Sequence, residues 1–334
     1  MRIVTVLGLI QAAALGSLMI GNAAHGLTLE EYKVPSAGSM PVSIVSGADG
    51  GLWFGEPGIN KIGRIDPVTH VFIEISVNPS AQPQELTSGP DGEIWFGAGE
   101  NNSIDQFDIT THVVTAYPIP TAGSLPQGLT TGPDGAIWIA EYGINKIGRL
   151  DLSDHMITEF TVPTANSGPF RITAGSDGGV WFTESLTNQI GRIDVTTHLF
   201  EEFATPTANS EPRGIVTGPD GALWFAEYNK DQIGRLDPST NVITEYPTPT
   251  IISSPWEITT GADGALWVSE GSANALGRID PTTNAIVEFP LPTKTSDVIG
   301  ITSGSDKNIW FVEAFAQQVG EALLFDEVFR NGFE

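Results

Sequence analysis

Six glutamates recur at one register in this chain: Glu56, Glu141, Glu184, Glu227, Glu270 and Glu313, each three residues after a tryptophan, with Ala98 as the interruption. A ring of carboxylates can hold a hard cation through oxygen ligands or form an acidic mouth for a basic ligand. The architectural alternative is that each Glu ties down its own neighbourhood by hydrogen bonds, since a residue that repeats is explained by the repeat. Arg64, Arg149, Arg192, Arg235 and Arg278 recur as well, two residues before Asp66, Asp151, Asp194, Asp237 and Asp280. An i, i+2 pair on a strand shares one face, so the spacing predicts a salt bridge within each couple. His70, His112, His155 and His198 stand seventeen residues after a tryptophan, where later units carry Asn241 and Asn284. His and Asn both tolerate positive φ, so this slot reads as a left-handed turn position and not as a metal cluster. The chain has no Cys, which excludes thiol chemistry and disulfides.

The elements that must position these residues follow from the tryptophans. Trp53, Trp95, Trp138, Trp181, Trp224, Trp267 and Trp310 are spaced by 42 and then by 43 residues, and only Trp256 lies off the series. A register kept so closely marks a tandem structural unit. In the fifth unit, Arg213–Thr217 is a short strand A. Gly218-Pro219-Asp220-Gly221 suits a type I turn. Strand B around Trp224 is apolar on both faces, which only stacking against neighbours can bury. Gln232–Asp237 and Val242–Tyr246 complete strands C and D. Four short strands per unit predict an all-β, seven-bladed β-propeller with four antiparallel strands per blade. The last unit lacks its outer strand, and Leu27–Pro35 copies the strand D pattern of Ile157–Pro163. The N-terminal strand is therefore expected to close the last blade, leaving no open edge. The D-to-A and B-to-C loops then share one face of the ring, where an axial site would be assembled from several blades.

Forty Asp and Glu against fifteen Lys and Arg give a formal charge of -25. That balance excludes a phosphate-tracking groove and with it nucleic-acid partners. Residues 1–26 read as a signal peptide: Arg2, an apolar run from Ile3 to Ile20, then small residues ending at Ala24-His25-Gly26. The reading implies a secreted or periplasmic chain with no membrane association beyond the cleaved signal. The propeller occupies 27–325, the ring is expected to act as a monomer, and 326–334 forms a tail outside the blade pattern.

The set Gly-x-Asp-Gly-x-Leu-Trp-Phe-x-Glu at Gly218–Glu227, with Ile233–Asp237 and Ile243–Pro247, resembles the streptogramin lyase (virginiamycin B lyase) family. The resemblance implies a magnesium-dependent C–O lyase that opens cyclic depsipeptides by abstracting a proton beside a carbonyl. It further implies an acid and a His at the start of the last strand A, then a Glu and a second His after strand B. Here those places hold Asp297, Ile299, Glu313 and Phe315 or Ala316. Asp297 and Glu313 remain candidates for magnesium or calcium. Ile299 cannot take a proton, the task for which His is best matched near neutral pH.

Where the repeat breaks on the loop-bearing face, Glu85, Gln127, Phe170, Arg171, Arg213, Trp256 and Glu257 stand at the starts of the inner strands. They are the candidate ligand-binding residues. An aromatic plate beside Arg and Glu suits a small molecule or a peptide. The architectural alternative is that Trp256 plugs the central channel. The sequence therefore points to a ligand-binding or interaction module, with lyase activity as the second reading.

Overall fold

The computed structural model describes residues 27–78 and 81–324. The predicted signal peptide and the tail at 326–334 lie outside the described residues. The described residues form seven four-stranded antiparallel sheets, each ordered A-B-C-D from the axis outward. In blade five these strands are Pro212–Thr217, Leu223–Glu227, Gln232–Asp237 and Val242–Pro247. Strand B is buried along its whole length because each blade face is covered by a neighbour. The seven ruler tryptophans are all within 1% of complete burial, so they are the staples between blades. Short 3-10 turns follow strand B in the first three blades.

Ring closure is as expected. Thr28–Lys33 pairs antiparallel with Gln318–Leu323, in a register running from Thr28 opposite Leu323 to Lys33 opposite Gln318. Blade seven thus combines one strand from the N-terminal end with three from the C-terminal end, and non-local pairing joins the two.

The Arg–Asp couples are a correction. The main partner of each Arg is the Asp of its A-to-B turn: Arg64 Nε meets Asp49 at 2.6 Å, whereas Arg64 and Asp66 are 3.9 Å apart. Arg235 and Arg278 pair with Asp220 and Asp263, both at 2.8 Å. Only Arg149 makes a short contact with its i+2 partner, Asp151 at 3.1 Å. The i+2 carboxyls turn to the following backbone, as when Asp66 accepts from the Val68 and Thr69 N–H groups. A short acidic side chain at a turn finds local donors first. The A-to-B Asp also accepts the indole N–H of the ruler Trp, 3.0 Å from Trp224 Nε1 to Asp220. Partial burial works against Asp220 ionising, but the Trp224 and Arg235 donors outweigh it and hold the carboxyl below its usual range.

The histidine slot is confirmed as left-handed: His70, His112, His155 and His198 have φ of 54°, 60°, 58° and 58°, with Asn241 and Asn284 at 59° and 60°. Three of these rings stack on the strand D aromatic of the preceding blade, as His155 does on Tyr117 at 4.9 Å. All four sit on C-to-D turns, away from the loop-bearing face.

Candidate functional site

The inner strands of blades three to seven begin with a break in register. In blade four it falls between Pro169 and Ile172, in blade five between Pro212 and Ile215, and in blade six between Pro255 and Ile258. Pro opens these strands in blades three to six, where it has no N–H to give to the ladder, and Val298 opens the strand of blade seven. The bulge that follows turns the intervening side chains out of the pleat and toward the axis. Phe170, Arg171, Arg213, Trp256 and Glu257 are those side chains, and Ile299 holds the corresponding place in blade seven.

Arg171 closes the channel. Its Nε donates to Glu257 at 2.6 Å, its Nη2 meets Glu85 at 2.9 Å, and its Nη1 donates to the Gln127 carbonyl. One guanidinium thereby joins inner strands of blades two, three, four and six. Burial pushes Glu85 up most, Arg171 pulls it back, and Glu257 adds to the rise, since two carboxyls share one cation. Beside this strut a cavity of about 120 Å³ runs between blades one, two, six and seven, lined by Val42, Glu85, Glu257, Gly300 and Thr302 among others. The channel stopper is Arg171 and not Trp256.

Trp256 belongs to a cluster. The Arg213 guanidinium lies 3.5 Å from the Tyr228 ring centroid and 3.9 Å from that of Trp256. Glu211 accepts from Arg213 Nε at 3.0 Å and holds the guanidinium between the rings. Phe170 meets Trp256 edge-on at 6.3 Å and Tyr142 at 6.2 Å. The candidates therefore fall into two groups: Glu85, Gln127, Arg171 and Glu257 make the strut, while Phe170, Arg213 and Trp256 make an aromatic and cationic platform. Tyr228 and Tyr142 complete the platform and were missed by sequence reasoning; each directly follows a repeated Glu, where the break in the repeat signalled them. Leu125, Leu186, Ile251, Ile252 and Phe315 are exposed on loops of the same face and extend it with an apolar rim.

The repeated glutamates do not form an acidic mouth. Glu56, Glu141, Glu184, Glu227, Glu270 and Glu313 are fully buried. Neither oxygen of Glu56, Glu141, Glu227, Glu270 or Glu313 has a well-formed hydrogen bond among the described residues. Of the repeated set Glu184 accepts from Thr187 Oγ1 of its own loop at 3.4 Å, but the main loop ties come from the strand D glutamates, as when Glu245 accepts from Thr207 N–H at 2.8 Å and Oγ1 at 2.6 Å. Burial, then the charge of the adjacent strand D Glu, pushes Glu227 up to about 8 and Glu270 up to about 9, so both are protonated at neutral pH. Blade two shows the same need by exchange: Ala98 and Ala116 replace both acids, and Asp105 enters from strand C, fully buried, at the position of the strand C glycines.

Asp297 and Glu313 are separated in environment. Glu313 packs against Glu31, and burial first, then that neighbour, raises it to about 8. Asp297 sits at φ 58° at the start of strand A, faces Gly271 of blade six, and is raised by partial burial. Among the described residues no group of three or more His, Asp or Glu is placed to hold a metal. Two carboxyls with different neighbours, one of them neutral, do not fit the magnesium of the lyases. No described histidine stands near them.

No curated protein matches the chain. Among solved structures, a streptogramin B lyase matches at 37% identity with TM-score 0.83, covering 89% of this chain and 97% of that one. Virginiamycin B lyase from Staphylococcus aureus matches at 35% identity, and its catalytically inactive His-to-Ala variant with quinupristin gives TM-score 0.84 over 90% of this chain and 100% of that one. Hydrazine synthase of Kuenenia stuttgartiensis, at 15% identity and TM-score 0.71, shares the fold alone. Residues 13–201 and 154–329 match the virginiamycin B lyase family, and the chain belongs to that family.

Proposed function

We propose that this chain is an exported member of the family that binds a small molecule or peptide on its loop-bearing face without opening it. The carrying observation is the placement of the histidines: every described His lies on a C-to-D turn, and Ile299 holds the inner-strand position at which the family resemblance implies a base. In the quinupristin-bound relative, a single His-to-Ala change accompanies loss of catalysis. The platform of Phe170, Tyr228 and Trp256 around Arg213, with its apolar rim, supports an apolar ligand that carries an aromatic ring or a carbonyl edge. The leader pattern of residues 1–26 supports export. Asp297 keeps one observation for a second reading as a lyase, because partial burial raises its carboxyl toward the range of a usable base on the same face.

Calorimetric titration with quinupristin tests binding. Trp256→Ala should weaken it by at least tenfold, about 1.4 kcal/mol, as expected for a central aromatic anchor. Unchanged affinity in the variant would remove the platform from the proposal.

A further inference from the structure

Positions 170, 213 and 256 are one register place repeated every 43 residues, at the head of strand A in blades four, five and six. Phe170, Arg213 and Trp256 thereby meet at the channel mouth, and the last two keep hydrogen-bond donors in reserve. A guanidinium carries five N–H groups and no acceptor, and an indole carries one N–H. Glu211 Oε1 accepts from both Nε and Nη2 of Arg213. The other oxygen of Glu211 is spent on Asn229 Nδ2 at 2.6 Å. The Tyr228 and Trp256 rings, 3.5 and 3.9 Å from the guanidinium carbon, stabilise its charge but give Nη1 no acceptor.

Arg213 Nη1 and Trp256 Nε1 are the two buried side-chain nitrogens without a partner among the described residues. The ruler tryptophans are not left in this state. All seven give Nε1 to the Asp of their A-to-B turn, from 2.9 Å at Trp138 to 3.2 Å at Trp310. A buried donor without an acceptor is costly, and here two such donors stand in one cluster. What they lack is an oxygen. Its charge follows from the surroundings: Glu211 already neutralises Arg213, and the whole chain carries -25. A carboxylate enters that negative field at a cost which a neutral carbonyl does not meet.

We propose, resting on the platform reading above, that the ligand is a neutral peptide-like molecule whose amide or ester carbonyl oxygens accept from Arg213 Nη1 and Trp256 Nε1. Its apolar groups lie on the surrounding rings. Both donors are closed from solvent by those rings, and a carbonyl reaches them as the partly exposed Phe170, Tyr228 and Trp256 side chains change rotamer, a common step in binding. An apolar molecule without a carbonyl leaves the donors unpaired, so the pair gives the mouth selectivity as well as affinity.

Calorimetry with quinupristin compares wild type, Trp256→Ala and Trp256→Phe, since Phe keeps a ring and drops the indole N–H. Trp256→Phe should weaken binding by about three- to tenfold, the range for one lost hydrogen bond. In the wild type, the Trp256 indole proton, identified by its absence from the nuclear magnetic resonance spectrum of Trp256→Phe, should move downfield as quinupristin is added, as a newly hydrogen-bonded proton does. N-acetylphenylalanine amide should move it at a lower concentration than N-acetylphenylalanine, which carries a carboxylate. Full affinity in Trp256→Phe, an indole proton that stays or moves upfield, or a response to the acid at an equal or lower concentration overturns the proposal. The platform reading fails separately: it falls if Trp256→Ala binds as wild type does, and it survives if Trp256→Ala is weak while Trp256→Phe binds fully.

Discussion

Arg171 Nε and Glu257 Oε2 meet at 2.6 Å across the central channel, an ion pair between residues 86 apart in sequence. Each partner is adjacent in the chain to a platform ring, Phe170 or Trp256. The pair therefore fixes how far apart those rings stand, and it couples the stability of the ring to the shape of the face.

Removing the strut should be expensive. Arg171→Met leaves Glu85 and Glu257 facing each other without a cation, and breaking such a pair typically costs about 3–5 kcal/mol. Arg171→Lys should recover less than half of that, because an ammonium cannot fork to two carboxylates and a carbonyl at once. Urea unfolding of the three proteins measures both effects; a neutral Arg171→Met would show that the strut carries no stability.

The buried acids set a pH dependence. Glu270 is held near 9 in the folded chain by burial and by Glu288, against an ordinary value of 4.5. The folded state therefore keeps a proton that the unfolded state releases. Stability from this group is complete below about 4.5 and is lost as pH rises through that window toward about 9. Glu270→Gln has no proton to lose, so its advantage over wild type should grow with pH, reaching on the order of 1 kcal/mol or more by pH 8. Urea midpoints at pH 5 and pH 8 report it, and a pH-independent difference would mean that Glu270 is already ionised.

Ring closure depends on Thr28–Lys33. Deleting residues 27–35 uncovers the edge of Gln318–Leu323 and removes the Glu31 clamp on Thr293, made at 3.0 Å to its N–H and 2.6 Å to its Oγ1. The truncated chain should form dimers or larger species and melt at least several degrees lower. Light scattering with thermal melts checks both; a monomer with unchanged melting would contradict the closure role.

The ring was legible in the sequence because stacking blades impose a fixed repeat, and Trp53 to Trp310 report that repeat directly. The left-handed histidines were legible for a similar reason: a turn conformation limits which residue types can occupy it. Arg171 with Glu85 and Glu257 could be selected as irregular but not paired, since their contact runs across the axis and depends on bulges that shift the side chains. The Arg64–Asp66 expectation failed because i, i+2 spacing describes strand faces and is silent about the turn. There Asp66 finds backbone donors, and Asp49 is left to take the guanidinium. Burial of the repeated Glu was hidden for another reason: a carboxyl after an apolar strand reads as a loop residue until its neighbour, another acid, is known.

Incubating the purified protein with a streptogramin B and magnesium, and following ring opening by mass spectrometry, tests the central claim most directly. Loss of a general base removes about two to four orders of magnitude in rate. The account expects intact depsipeptide with the wild-type protein, and at most slow opening with Ile299→His, which places an imidazole on the bulge beside Asp297. Efficient opening by the wild type would contradict it, because the face would then supply a base that none of its described histidines provides.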